Sequence, residues 1–194
     1  MGNKWRGWLL GLLTAGVIAG GCSPAPIQEM QPPSTVEKGE STMALQITSP
    51  AFAAGQPIPP EYTCRGKDIS PPLEWSDPPP GTHAFALICD DPDAPAGDWV
   101  HWLIYNIPAT ARGLPAGVSA DSQLADGSRQ GLNGWRTTGY RGPCPPSGTH
   151  RYFFKLYALD APLSLPPAAD KAQLLRAMQG HIVAQAELMG TFSK

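Results

Sequence analysis

The chain has 194 residues, 23 of them proline and 21 glycine, with 15% charged and a formal net charge of -2. A mildly acidic chain without a basic run lacks the electrostatic footprint of a nucleic-acid binder. So much proline and glycine, with so little charge, excludes a helical bundle and suits short strands joined by rigid loops.

The N-terminus reads as an export signal. Lys4 and Arg6 precede an apolar run from Trp8 to Ala19, followed by Gly20, Gly21 and Cys22. About a dozen apolar residues are too few to cross a bilayer, which takes about 20. Cys22 after two small residues is similar to a lipobox, with Ala19 where that motif usually has Leu or Val. Residues 1–21 are therefore expected to be removed and Cys22 to be lipidated. More than one acyl chain makes such anchoring durable. Cleavage at Cys22 without lipid is the alternative. Ser23, by similarity to lipoprotein sorting in Gram-negative bacteria, favours the outer membrane.

Residues 22–42 are expected to be a flexible linker, since their Pro, Gln, Glu, Ser and Thr leave too little apolar surface to bury. Residues 43–194 are expected to form one domain, long enough for an ordinary core. Strands are predicted at 45–48, 84–89, 100–107 and 152–159, nearly all bounded by Pro-rich punctuation. Alternation in the third puts His101, Leu103, Tyr105 and Ile107 on one face and Val100, Trp102, Ile104 and Asn106 on the other. Both faces are mostly apolar, which predicts a central strand. After His150 the same rule turns Tyr152, Phe154, Leu156 and Ala158 inward, and Arg151, Phe153, Lys155 and Tyr157 the other way.

Near the C-terminus, Asp170 is placed to cap a helix carrying Leu174, Leu175 and Met178, and residues 182–189 are expected to form a second helix after Gly180. The expected fold is mainly β, a sandwich with short C-terminal helices. Cys64 and Cys144 fall in loops and Cys89 in an apolar run, so a Cys64–Cys144 bridge is expected in an oxidising envelope, three free thiols being the alternative.

Two separated stretches carry the chemistry. One is Asp91-Pro92-Asp93-Ala94-Pro95, running on to His101-Trp102; the other is Gly142-Pro143-Cys144-Pro145-Pro146-Ser147-Gly148-Thr149-His150-Arg151-Tyr152. Each places a titratable residue where a rigid loop meets an apolar strand. A phosphate needs converging donors, which His101, His150, Tyr152 and the backbone around Cys144 to Pro146 can supply. A charge-assisted bond contributes about 1.5–3 kcal/mol net, so three suffice for a weak site. Asp91 would repel an anion unless it accepts an imidazole N–H or is itself protonated.

These stretches resemble the signature of the phosphatidylethanolamine-binding protein family, in its bacterial Raf-kinase-inhibitor-like branch. The resemblance covers nearly the whole domain, from the Tyr62 to Leu73 stretch with Ile69-Ser70-Pro71-Pro72 through to the expected final helices. It implies a Greek-key β-sandwich and an anion site of Asp91, His101, His150 and Tyr152. Cys144 and Pro146 would line that site, with Pro92, Asp93, Pro95 and Pro145 as loop scaffold. Cys144 stands where animal members carry glycine.

Trp75, Trp102 and Trp135 could rim a headgroup site, although burial is the default for such side chains. His83 and His181, the latter in the predicted helical stretch, are read as structural. No nucleophile elbow, phosphate-binding glycine loop, dinucleotide fingerprint or His-Glu-x-x-His is present. The spacing of Asp91, Asp93 and a histidine fits no standard metal site, and no metal or cofactor is expected. The resulting expectation is an envelope-anchored binding protein without catalysis, whose partners are a phosphate-type anion or phospholipid headgroup and, through Cys22, the membrane. The alternatives are a protease-inhibitor-like interaction module using residues 111–135 and, further off, a phosphoester hydrolase with a histidine base oriented by Asp91.

Overall fold

The computed structural model describes residues 44–194, so the signal segment, Cys22, Ser23 and the whole linker lie outside the described residues. In chain order the elements are β1 (Ile47–Thr48), β2 (Leu73–Trp75), β3 (Ala84–Asp91), β4 (Trp99–Pro108), β5 (Gly113–Leu114), β6 (Arg129–Gln130), β7 (Thr149–Leu159), α1 (Lys171–Met178) and β8 (Ile182–Ser193). Two antiparallel sheets result, a small one ordered β1-β2-β5 and a large one ordered β6-β4-β3-β7-β8. The succession β7-β3-β4-β6 is a Greek-key order, in which the fourth strand returns beside the first.

β3 lies between β4 and β7 and is buried along its whole length, as a strand apolar on both faces must be. Phe85, Leu87 and Cys89 face the small sheet and pack with Ile47, Leu73, Trp75, Tyr152, Phe154 and Leu156. The Trp75 and Phe85 rings meet at 5.4 Å across this interior. Each such fully buried large side chain contributes about 1.5–3 kcal/mol by leaving water. On the other face Ala86 and Ile88 pack with Leu103 and Tyr105 under Leu163, Leu174 and Met178. Asp170 caps α1 in a capping box with Gln173, and Leu174 and Met178 form its buried face, while Leu175 is exposed.

Residues 182–189 are not helical. They open β8, which pairs with β7 from Thr149↔Ser193 to Leu159↔Ile182. The Ala, Glu, Leu and Met of this segment favour a helix locally, but an exposed β7 edge with an inward row offers a complete ladder of partners. Leu188 and Phe192 then alternate into the core, so tertiary pairing overrides propensity. Among the described residues the C-terminal part accordingly has one helix. His181 sits in the turn before β8, where its Nδ1 donates to Asp160 at 2.7 Å.

The strict alternation expected for β4 fails at both ends. The β3–β4 register passes from Cys89↔Trp102 to Asp90↔Val100 and from Phe85↔Ile107 to Ala86↔Tyr105, leaving His101 and Asn106 as extra residues. Asn106 adopts φ 57°, and its side chain is held by Leu163 through both an accepted and a donated bond. Because each bulge resets the pleat, Leu103 and Tyr105 face the helix side while Ile107 returns to the inter-sheet core. His101 likewise leaves the Leu103 face and reaches the Tyr152 ring at 5.1 Å.

Candidate functional site

Asp90 and Asp91 end β3 as neighbours on opposite faces, and the two carboxylates are neutralised differently. Asp90, fully buried, accepts from Lys155 Nζ at 2.8 and 2.9 Å and from Lys171 Nζ at 2.6 Å, and Lys171 also pairs with Asp98. This cluster joins β3, β7 and α1 behind the site. Asp91 points the other way and accepts from His150 Nδ1 at 2.8 Å through one oxygen and from the Asp93 backbone N–H at 2.9 Å through the other. Neither oxygen of Asp91 is left bare.

The loop after β3 is pinned in turn. Asp93 takes a forked pair of bonds from the Arg151 guanidinium, at 2.7 and 2.9 Å, and a third from the Arg151 backbone N–H. The Arg151 bonds hold the Asp93 carboxyl at about 2, below its ordinary range, against the opposing effect of burial. Asp93 is thus a clasp between the loop and β7.

His101 is held from the opposite side of the cavity. Its Nδ1 donates to the Arg141 carbonyl at 2.5 Å, and the Arg141 N–H donates back to the His101 carbonyl at 3.1 Å. Burial pushes the His101 imidazole below its ordinary pKa, offset in part by the Arg141 carbonyl and by the charges of Asp91, Asp68 and Asp90. The Arg141 guanidinium lies on the Trp135 ring at 5.2 Å and reaches toward Asp68 at 3.8 Å.

The wall opposite is the loop through Cys144, Pro145 and Pro146. A disulfide joins Cys144 to Cys64, with Cα atoms 5.5 Å apart, and the Cys64 N–H donates to the Pro143 carbonyl at 3.1 Å. Gly142 passes so close to this neighbouring loop that a Cβ would stand 2.5 Å from the Tyr62 carbonyl oxygen. Its N–H donates to Asp68 at 2.6 Å. Cys89 is buried and unpaired.

These parts enclose a cavity of about 240 Å³ lined by Asp91, Ala94, Pro95, Ala96, Trp99, His101, Trp135, Cys144, Pro145, Pro146, His150 and Tyr152. Of the residues singled out in the sequence, Asp91, His101, His150, Tyr152, Cys144, Pro146, Pro95 and Pro145 meet here. Asp93 acts from behind through Arg151, and Pro92 is absent from the lining. Trp135 forms part of the rim, 38% exposed, edge-on to His101 at 5.2 Å and to Trp99 at 5.4 Å. Asn133 holds that rim in place, accepting from the N–H groups of Trp135 and Thr137 and donating to the Gly139 carbonyl. Trp75 and Trp102 are core residues.

Sequence reasoning missed Trp99, whose position at the head of the His101 strand was the available signal. It also missed the Arg141 carbonyl and the Asp90 cluster, which depend on chain crossings that no local pattern displays. Several polar atoms of the lining residues have no hydrogen-bond partner among the described residues. The Tyr152 hydroxyl is buried without a hydrogen bond, and its phenol is raised well above the ordinary value, by burial first and by the Asp91 charge next. Neither imidazole Nε2 has a protein partner among the described residues.

The fold is a Greek-key sandwich with a small pocket lined by Asp91, His101, His150 and Tyr152 at its strand ends. The chain belongs to the phosphatidylethanolamine-binding protein family, whose model matches residues 48–193. A UPF0098 protein of Methanothermobacter thermautotrophicus is 51% identical over 150 residues, covering 77% of this chain and 99% of the relative. A Mycobacterium tuberculosis protein bearing a lipoprotein name, LppC, is 40% identical over 196 residues and covers 93% of this chain and 94% of its own length. Among solved structures, Escherichia coli YbcL, described as a member of the mammalian PEBP family, superposes with a TM-score of 0.73 at 32% identity, covering 78% of this chain and 99% of that one.

Proposed function

We propose that the pocket receives a phosphate-type anion, free or as part of a phospholipid headgroup, and holds it without making or breaking a bond. The observation that carries this reading is the convergence of His101, His150 and Tyr152 on one cavity, with both imidazole Nε2 atoms free of protein partners among the described residues. The rings of His101 and His150 are oriented before any ligand arrives, because each Nδ1 is committed to a fixed acceptor. Preorganisation of this kind lowers the cost of binding.

Anchoring at the cell envelope through Cys22 completes the reading, supported by the signal-like N-terminus and by the lipoprotein name of the 40%-identical relative. Ser23 favours the outer membrane if the envelope is Gram-negative. Titration of the full chain with inorganic phosphate and with phosphoethanolamine, followed through the histidine ring signals by NMR, tests the site. Saturable shifts at His101 and His150 are expected. Rings that do not respond to either compound would exclude it.

A further inference from the structure

Resting on the anion-site reading above, we propose that the Arg141 side chain is a ligand-binding residue of this pocket, a guanidinium clamp that rests on the rim and moves onto the bound anion. The cavity calls for such a group. Its lining carries neutral donors in Tyr152, Trp99 and Trp135, two imidazoles and the Asp91 carboxylate, but no lysine or arginine. A proton taken up by His150 is offset at once by Asp91, to which its Nδ1 is bonded at 2.8 Å. An entering oxyanion therefore sets its charge near that of Asp91 with no fixed cation to balance the two.

Other basic side chains around the site are committed or turned elsewhere. Arg151 is forked on Asp93 at 2.7 and 2.9 Å, and Lys155 and Lys171 serve Asp90 on the opposite face of β3. Arg136 lines a separate cavity beside α1. Arg65 lies over the Phe192 ring at 5.8 Å, and Phe192 is outside the lining.

Arg141 differs from all of these. Its backbone is fixed beside the site, since its carbonyl accepts from His101 Nδ1 and its N–H donates to the His101 carbonyl at 3.1 Å. Its guanidinium is loose. The approach to Asp68, at 3.8 Å, is beyond hydrogen-bond distance, and the side chain is 47% exposed. The head rests on the Trp135 ring at 5.2 Å, and Trp135 lines the cavity and stands edge-on to His101, also at 5.2 Å. Rotation about side-chain bonds alone carries the fork along the indole to the mouth.

The exchange of partners favours the move. An exposed contact with an aromatic face and a long, half-solvated ion pair are both weak. A phosphate offers instead two short charge-assisted bonds in the geometry the planar fork matches. Asp68 cannot follow, because it is tied to the Gly142 N–H at 2.6 Å. Two unesterified oxygens on one phosphorus are enough for the fork, so monoesters and diesters, a phospholipid headgroup among them, are both served.

His101 is held by the Arg141 carbonyl, so replacing the side chain leaves that bond in place. Isothermal titration of the full chain with inorganic phosphate and with glycerophosphoethanolamine, at low and high ionic strength, tests the clamp. Arg141→Met should lower affinity for both probes about tenfold and flatten the salt dependence, with Arg141→Lys recovering part of the loss. Asp68→Asn, which removes the competing charge, should raise affinity about two- to threefold, and the gain should vanish in combination with Arg141→Met. Arg65→Met should stay within about twofold of the parent chain. In NMR spectra the Arg141 Nε–H signal should shift on saturation with phosphate. Arg141→Met binding within about twofold of the parent, with the same salt dependence and the same histidine ring shifts, would overturn the clamp and leave the anion site intact. An equal loss from Arg65→Met would overturn it as well, by marking a general surface field. Failure of the parent chain to bind either probe would overturn the clamp and the site together.

Discussion

Replacing both bridged cysteines, Cys64→Ser with Cys144→Ser, tests how the pocket wall is held. The bridge closes a loop of 80 residues in sequence separation, from the segment before β2 to the segment before β7. Chain entropy for a closed loop of that length corresponds to about 4.5 kcal/mol of stability at 25 °C. With a urea dependence of about 2 kcal/mol per molar, the midpoint of unfolding should fall by about 2 M. Because Cys144, Pro145 and Pro146 form one wall of the cavity, phosphate affinity should fall as well, even well below the midpoint. Equilibrium unfolding followed by tryptophan fluorescence, paired with a phosphate titration under native conditions, measures both. A midpoint shifted by less than about 0.5 M, together with unchanged affinity, would refute the reasoning. In that event the Gly142 to Asp68 bond and the Tyr140 hydroxyl on the Tyr62 carbonyl would suffice to seat the loop.

Tyr152→Phe removes only the unpartnered hydroxyl, so phosphate affinity should drop about ten- to hundredfold, the equivalent of one strong bond, while the free protein stays as stable or gains; titration calorimetry and thermal melts separate the two effects, and unchanged binding would contradict the assigned role. The free protein should lose stability as pH falls below ~6.5, because the unfolded His101 takes a proton at its ordinary value whereas the buried one resists it. That stability is fully present above this range, and saturating phosphate should flatten the loss. Urea midpoints across acidic to neutral pH check the sign, with His101→Gln expected to show a shallower slope. Asp90→Asn leaves Lys155 and Lys171 facing a neutral amide and should cost about 3–5 kcal/mol, measured by urea unfolding. Asp98→Asn, at an exposed carboxylate, should cost under about 1 kcal/mol by the same measurement.

Much of the site was legible because its residues sit where chain rigidity and strand alternation are both local. The alternation from His150 through Ala158 reports which side chains line the inter-sheet core, and Tyr152, Phe154, Leu156 and Ala158 all lie there. The Asp-Pro-Asp turn and the Gly-Pro-Cys-Pro-Pro loop declare rigid walls in the same way. The cap of α1 was equally readable, since Asp170 and Gln173 satisfy each other within one turn.

What local pattern could not supply came from groups meeting across the chain. Whether residues 182–189 coil or extend was decided by the open edge of β7, an acceptor surface that exists only once the sheet has formed. His101 faces the cavity because a bulge resets β4 against β3, and a two-residue period read along one strand is blind to a mismatch with its partner. The roles of the two imidazoles were likewise fixed by distant acceptors, the Arg141 carbonyl and the Asp91 carboxylate. Sequence thus determined which chemical groups are available and which loops are stiff. Only the tertiary structure, by choosing the acceptor for each ring nitrogen, decided which atoms remain free for a ligand.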